Sequence, residues 1–123
     1  MKTVFFFLSG AVTMIWGIAH LFPTKKVVKN FGDISIDNKR IITMEWIIEG
    51  ISLIFIGMLI ILITSIERSS YLSQALYVSI IVMLVILSIV SFFTGFRVNF
   101  LPYKLCPVIF LTTAILILLG LLL

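Results

Sequence analysis

The chain has 123 residues and a formal net charge of +4, with 62% hydrophobic and only 11% charged residues. Soluble domains carry about 25% charged residues, so this composition excludes an ordinary water-soluble domain. The length predicts one domain over residues 1–123. The low share of charged residues predicts that lipid surrounds most of this domain, and no nucleic-acid partner is expected. The single cysteine, Cys106, excludes a disulfide within the chain.

Four apolar segments predict an all-α membrane protein built as a bundle of four transmembrane helices. Three of them are long enough to cross a hydrocarbon core of about 30 Å, which takes about 20 helical residues, and the fourth, at the C-terminus, is marginal. Their apolar runs do not alternate with polar residues, which favours helices over the strands of a barrel. The predicted helices cover residues 4–22, 41–64, 75–96 and 105–123.

Small and polar residues share one face of the first helix. Ser9, Thr13 and Gly17 follow one another at four-residue spacing, and His20 comes three residues later. Gly10 widens this face. A neighbouring helix can approach closely where side chains are small, so we expect this face to pack inside the bundle.

The first loop, residues 23–40, is basic and begins at Pro23, which ends the first helix. Its residues divide into a basic side and an apolar side, which predicts an amphipathic segment at the headgroup level. The two sides are Lys25, Lys26 and Lys29, and Val27, Val28 and Phe31. Gly32 is the expected end of this segment and Asp37 the expected cap of the second helix. An ordinary solvated loop stays open as the alternative.

The second helix carries two glutamates and two glycines. Glu45 and Glu49 are four residues apart and share a face. Gly50 and Gly57 are seven apart, a spacing that suits tight left-handed packing. A charge at the bilayer centre costs about 2.5–3.5 kcal/mol on insertion scales, so we expect these glutamates to face the bundle and find partners.

The placement of charge predicts the orientation. Seven Lys and Arg residues lie in loops 23–40 and 97–104, and two lie on the opposite side. The seven are Lys25, Lys26, Lys29, Lys39, Arg40, Arg97 and Lys104, and the two are Lys2 and Arg68. The positive-inside rule then places loops 23–40 and 97–104 in the cytoplasm and both termini outside a plasma membrane.

Residues 20–25 and 99–104 follow the same pattern, namely a polar residue, two apolar residues, proline, any residue and lysine. This echo predicts two similar hairpins related by an axis along the membrane normal. Proline and lysine are also common where helices leave a membrane, which is the alternative explanation.

Polar residues from three helices converge on one leaflet. His20 ends the first helix, the glutamates lie in the first half of the second, and Arg97 follows the third. Antiparallel neighbours bring these positions to the same side, close to both tryptophans. We therefore predict a polar pocket in the cytoplasmic leaflet made of His20, Glu45, Glu49, Arg97, Trp16 and Trp46.

Three functions fit such a pocket. Its ion pairs can pin the helices together in a non-enzymatic accessory or scaffold protein, which is our first expectation. Aromatic walls with a few polar groups also suit a quinone- or lipid-binding subunit of a membrane oxidoreductase. An accessible Glu49 would suit a small oligomeric proton-coupled transporter.

No metal site or cofactor is predicted. The chain has one histidine, and it lacks the Glu-x-x-His pairs that di-iron bundles use. Cys106 is interpreted as a small hydrophobic residue at the interface, without a base to activate it.

One pattern in the chain resembles a family. Gly17-Ile18-Ala19-His20 closes the first helix, a polar loop follows, and Trp46 and Glu49-Gly50 come in the second helix. This pattern resembles the DoxX-like small four-helix membrane proteins. The resemblance implies a compact four-helix bundle in a bacterial or archaeal plasma membrane. Separately, the partners stay open, and a lipid or quinone ligand, copies of the chain or a partner membrane protein are the alternatives. DoxX itself is a subunit of a thiosulfate:quinone oxidoreductase, but this chain carries no cofactor motif and no redox cysteine pair, so no catalytic residue follows.

Overall fold

Helices form nearly the whole of the computed structural model, which describes residues 2–123. There are five, and no strand lies among these residues. They are α1 (Lys2–Leu21), α2 (Thr24–Asn30), α3 (Ile36–Ile66), α4 (Tyr71–Thr94) and α5 (Leu101–Leu122). All except α2 are long and apolar enough to cross a membrane. The prediction of an all-α bundle with four long apolar helices is therefore confirmed.

The amphipathic segment of the first loop is the short helix α2. Val27 is buried against the bundle, whereas Lys25, Lys26 and Lys29 are exposed. Gly32 follows the helix with a positive φ of 73°, a backbone conformation that favours glycine. The predicted stop at this residue is confirmed.

The predicted cap of the next helix was wrong. Ser35, and not Asp37, caps α3, because the Ser35 hydroxyl accepts a hydrogen bond of 3.2 Å from the amide of Asn38. Asp37 lies in the first turn, where its carboxylate is 3.7 Å from the guanidinium of Arg40. The helix therefore begins five residues before the predicted residue 41.

We expect Ser35→Ala to lower the free energy of unfolding by about 0.5–2 kcal/mol, since it removes an N-cap acceptor. Asp37→Ala should cost less, because its partner Arg40 is exposed and exposed ion pairs contribute about 0–1 kcal/mol. Titration of detergent-solubilised protein with denaturant measures both values. A larger loss for Asp37→Ala would contradict the assignment of the cap.

Two prolines, Pro102 and Pro107, lie inside α5. Pro102 is in the first turn, where the missing amide hydrogen costs nothing. Pro107 lies further in, and it leaves the carbonyl of Tyr103 without its helical donor. The Ser88 hydroxyl of α4 donates a 2.8 Å hydrogen bond to the carbonyl of Pro107, which ties α4 to this part of α5.

Two pairs of glycines bring α1 and α3 into backbone contact. A Cβ on Gly17 would lie 2.8 Å from the carbonyl oxygen of Gly50, and a Cβ on Gly57 would lie 2.6 Å from that of Gly10. Such distances leave no room for a side chain. The predicted tight packing at the seven-residue glycine spacing is confirmed.

The four long helices are not packed equally. The α1 helix lies between α3 and α5, and α4 packs on α5, but α3 and α4 touch at few residues. A two-fold relation between the hairpins would make the α1–α5 and α3–α4 contacts equivalent. The echoed segments also differ, since His20 is in the last turn of α1 whereas Asn99 lies in the link after α4. The two hairpins are therefore not equivalent.

The outer faces of the long helices are apolar. Residues on these faces that are at least half exposed include Val4, Phe55, Ile86 and Val108. Soluble monomers rarely expose apolar patches of more than a few hundred Å². A surface of this kind is typical of helices that face lipid.

Candidate functional site

The end of α1 is held by side chains from outside the helix. The last carbonyls of a helix have no donor within it. Here the indole N–H of Trp46 in α3 donates a 2.7 Å hydrogen bond to the carbonyl of His20, and the hydroxyl of Thr24 donates one of 2.6 Å to that of Leu21. The backbone at His20 is thus fixed by α3.

The His20 side chain is buried beneath Trp46 and beside Glu49. Its imidazole stacks on the indole, with ring centroids 3.8 Å apart and an interplanar angle of 17°. Its Nε2 atom is 3.3 Å from Oε2 of Glu49, which is an ion-pair distance when the imidazole is protonated. The contact does not meet hydrogen-bond geometry, and within residues 2–123 neither ring nitrogen has a hydrogen-bond partner. A buried histidine is therefore available for a further contact.

The glycine contact between α1 and α3 explains this arrangement. Gly17 and Gly50 hold the two backbones together, His20 lies about one turn after Gly17, and Glu49 precedes Gly50. Residues three apart lie on the same helical face, so His20 is on the seam face of α1, and Glu49, next to Gly50, flanks the seam on α3. Two of the residues predicted to share a polar pocket, His20 and Glu49, are therefore in contact.

Cys106 is the site residue that the sequence interpretation missed. Its thiol is buried, and it forms with His20 Nε2 or Nδ1 and a Glu49 oxygen a group of three atoms within 4.8 Å of one another. The indole of Trp16 lies next to this thiol, but its N–H has no hydrogen-bond partner in the described chain. A titratable histidine therefore lies near the cysteine, contrary to our interpretation of Cys106.

An open cleft of about 480 Å³ lies above these three residues, where α3 and α4 diverge. Its walls combine apolar side chains of α4 with aromatic and hydroxyl groups from the neighbouring segments. The lining residues are His20, Phe31, Glu49, Leu87, Val90, Ser91, Thr94, Gly95, Val98, Tyr103 and Cys106. The buried His20 and Cys106 lie at its inner end, whereas Val90 is 53% exposed at its mouth. Because exposed residues of both α3 and α4, namely Glu49 and Val90, line the cleft, it is open to the surface between these helices.

Glu45 and Arg97 lie outside this inner group. Glu45 is exposed and lines an adjoining cleft of about 400 Å³ together with Trp46, Glu49 and Tyr103. Arg97 is exposed in the link between α4 and α5 and forms no ion pair within the part of the chain that the structure describes. Of the six predicted pocket residues, the structure thus groups His20, Glu49, Trp16 and Trp46, with Glu45 at the rim.

Tyr103 and Phe31 complete the site. The Tyr103 ring meets Trp46 edge-on, with centroids 5.6 Å apart and an interplanar angle of 72°. Phe31, which follows α2, lines both clefts, so the short basic helix ends directly beside the site. Imidazole, carboxylate, thiol and hydroxyl groups at the inner end of an apolar cleft can hydrogen-bond an oxygen-bearing ligand or coordinate a metal.

No family model, curated protein or solved structure matches this chain.

Proposed function

We propose that this chain is a multi-pass membrane protein that binds a small amphipathic molecule of the lipid or quinone class in the cleft between α3 and α4. The observation that supports the proposal most is the buried imidazole of His20 at the inner end of the cleft, whose ring nitrogens have no hydrogen-bond partner among residues 2–123. A buried polar group without a partner is costly, by about 1–3 kcal/mol, so a ligand that supplies one gains affinity.

The two ends of the cleft suit the two ends of such a molecule. Leu87, Val90 and Val98 offer an apolar wall for a tail at the mouth. His20, Ser91 and Tyr103 offer nitrogen and hydroxyl groups for a carbonyl or hydroxyl head group deeper in. Ligand sites are mostly apolar with a few convergent polar groups, and this cleft follows that pattern. The DoxX-like resemblance makes a quinone the first probe to use.

Intrinsic fluorescence can test the proposal directly, because both tryptophans of the chain lie at the site. We expect a short-chain quinone to quench this fluorescence saturably. Val90→Phe should narrow the mouth and weaken binding about tenfold or more, whereas Val82→Phe, two turns earlier on α4 and equally exposed at 53%, should not. Native mass spectrometry of protein gently extracted from its own membrane should show the natural ligand.

The two glutamates supply a second matched pair. Glu49→Gln removes the carboxylate that lies 3.3 Å from His20 Nε2 and so positions the imidazole as a donor to a quinone oxygen. We expect quinone affinity to fall about tenfold, since a typical hydrogen bond contributes about 0.5–1.5 kcal/mol. Glu45→Gln, one turn away at the rim, should change affinity little. Unsaturable quenching, or an equal response of both variants, would reject the binding site and favour an accessory protein in which the His20–Glu49 contact pins α1 to α3.

We also propose a plasma-membrane location, with α2 and the α4–α5 link in the cytoplasm and both termini outside. The support is the excess of Lys and Arg at that end of the bundle, where α2 exposes three lysines. A reporter that is active only in the cytoplasm should be inactive when fused after Leu123 and active when inserted at Gly32. The reverse pattern would overturn the orientation and leave the ligand proposal unaffected.

A further inference from the structure

The inner end of the cleft brings together three different metal-ligating side chains from three helices. His20 comes from α1, Glu49 from α3 and Cys106 from α5, and one ligand atom of each lies within 4.8 Å of the others. Two of the three residues are buried, and His20 has no hydrogen-bond partner among residues 2–123. From this geometry we infer that the three residues form a binding site for a borderline-soft divalent cation, namely Zn²⁺.

The donor set selects the class of metal. A thiolate and an imidazole disfavour Mg²⁺ and Ca²⁺, which take oxygen ligands, whereas Zn²⁺ accepts sulfur, nitrogen and carboxylate oxygen together. Binding would release the thiol proton of Cys106, since the thiolate is the ligand. The resulting charges of the carboxylate and the thiolate would balance the two charges of the cation inside the bundle.

The distances suit one tetrahedral ion after a small adjustment. Ligand bonds of about 2.0–2.3 Å place neighbouring ligands of a tetrahedral zinc ion about 3.3–3.7 Å apart. The separation of 3.3 Å between His20 Nε2 and Glu49 Oε2 already matches this value. The remaining separations, at most 4.8 Å, require a movement of about 1 Å, which rotation of the Glu49 and Cys106 side chains can supply.

Three protein ligands leave the fourth position of a tetrahedral ion open. All three residues line the cleft between α3 and α4, so the open position would face it. Open coordination is typical of zinc sites that bind water or a ligand, whereas structural sites have four protein ligands. This inference goes beyond the proposed binding function but shares His20 and Glu49 with it, and therefore Cys106 distinguishes the two.

Cobalt substitution of the tag-free protein in detergent tests the site. We expect one Co²⁺ or Zn²⁺ per chain, and a thiolate-to-cobalt charge-transfer band that reports on Cys106 directly. Cys106→Ser should remove the band and weaken Zn²⁺ binding by about 100-fold or more, since even the loss of a second-shell partner costs about 10–100-fold. His20→Gln should have the same effect on affinity. Glu45→Gln is the matched control, because it removes a nearby carboxylate outside the group.

Each result decides between the two inferences. A wild-type protein without the charge-transfer band, or Zn²⁺ affinity that is equal in Cys106→Ser, overturns the metal site whatever the quinone assay shows. Bound metal without saturable quinone quenching overturns the proposed ligand instead. Elution of Cys106→Ser at the wild-type volume in size-exclusion chromatography, with wild-type thermal unfolding, excludes misfolding as the cause of a lost band.

Discussion

Gly57→Ala is expected to lower the free energy of unfolding by about 2 kcal/mol, even though alanine is the better helix former. Alanine should gain about 0.5–1 kcal/mol over glycine inside a helix. Its Cβ, however, would lie 2.6 Å from the carbonyl oxygen of Gly10 and 2.6 Å from the amide nitrogen of Met14. These are backbone atoms of α1, so no change of rotamer can relieve the contact and the helices have to separate.

Unfolding in mixed micelles with increasing sodium dodecyl sulfate, followed by tryptophan fluorescence, measures this loss. Gly95→Ala is the control, because Gly95 has a negative φ and the nearest atom to a Cβ at this position is the carbonyl oxygen of Ser91 in α4, at 3.2 Å. We expect Gly95→Ala to change stability by less than about 0.5 kcal/mol. A gain in stability for Gly57→Ala would show that helix propensity outweighs the α1–α3 contact.

The glycine pattern also explains why the cleft opens between α3 and α4. The α1–α3 contact uses glycines on both helices, whereas α4 has no glycine between Tyr71 and Thr94. Its bulky Val, Ile and Leu side chains prevent a close backbone approach, and α4 instead packs on α5. The same sequence feature that holds His20 against Glu49 therefore leaves the opposite edge of the bundle open.

Helix number and the α1–α3 seam could be predicted because they depend on local properties. Length and hydropathy determine whether a segment can span a membrane, and a seven-residue glycine spacing marks one helical face. His20 and Glu49 could be paired for the same reason, since His20 lies about one turn after Gly17 and Glu49 is next to Gly50. Arg97 could not, because it lies beyond the end of α4 at Thr94 and helical periodicity no longer sets its direction.

Cys106 was missed because its place depends on where α5 begins. Pro102 and Lys104 lower the hydropathy of this stretch, so the predicted helix began at residue 105 and put the cysteine in its first turn, at the membrane surface. In the structure α5 begins at Leu101, and Cys106 lies more than one turn inside it. Pro102 was the available signal, since proline is favoured in the first turn of a helix.

The length of α3 places the site near one end of the bundle. Its 31 residues span about 46 Å at 1.5 Å per residue, which exceeds a hydrocarbon core of about 30 Å. If the core covers the α4-proximal part of the helix, about ten residues at its start extend beyond it toward α2. Glu49 then lies within the apolar layer close to its edge, and Glu45 lies at the edge.

Trp46 should contribute more to stability than any other site residue, and the two tryptophans allow its hydrogen bond to be isolated. Trp46→Phe keeps an aromatic ring beside His20 but removes the indole N–H that donates a hydrogen bond to the His20 carbonyl. We expect it to cost about 1–3 kcal/mol, because a buried helix-terminal carbonyl loses its donor. Trp46→Ala also removes a buried aromatic side chain and should cost about 3–5 kcal/mol.

Trp16→Phe is the matched control for this prediction. The Trp16 N–H has no hydrogen-bond partner among residues 2–123, so its loss should cost less than about 1 kcal/mol. Thermal unfolding of the three variants in the same detergent gives the comparison. Equal losses for Trp16→Phe and Trp46→Phe would mean that the indole–carbonyl bond does not hold the end of α1. The larger loss for Trp46→Phe would mean that α3 fixes both the backbone and the ring of His20 and so sets the geometry on which both proposed binding sites depend.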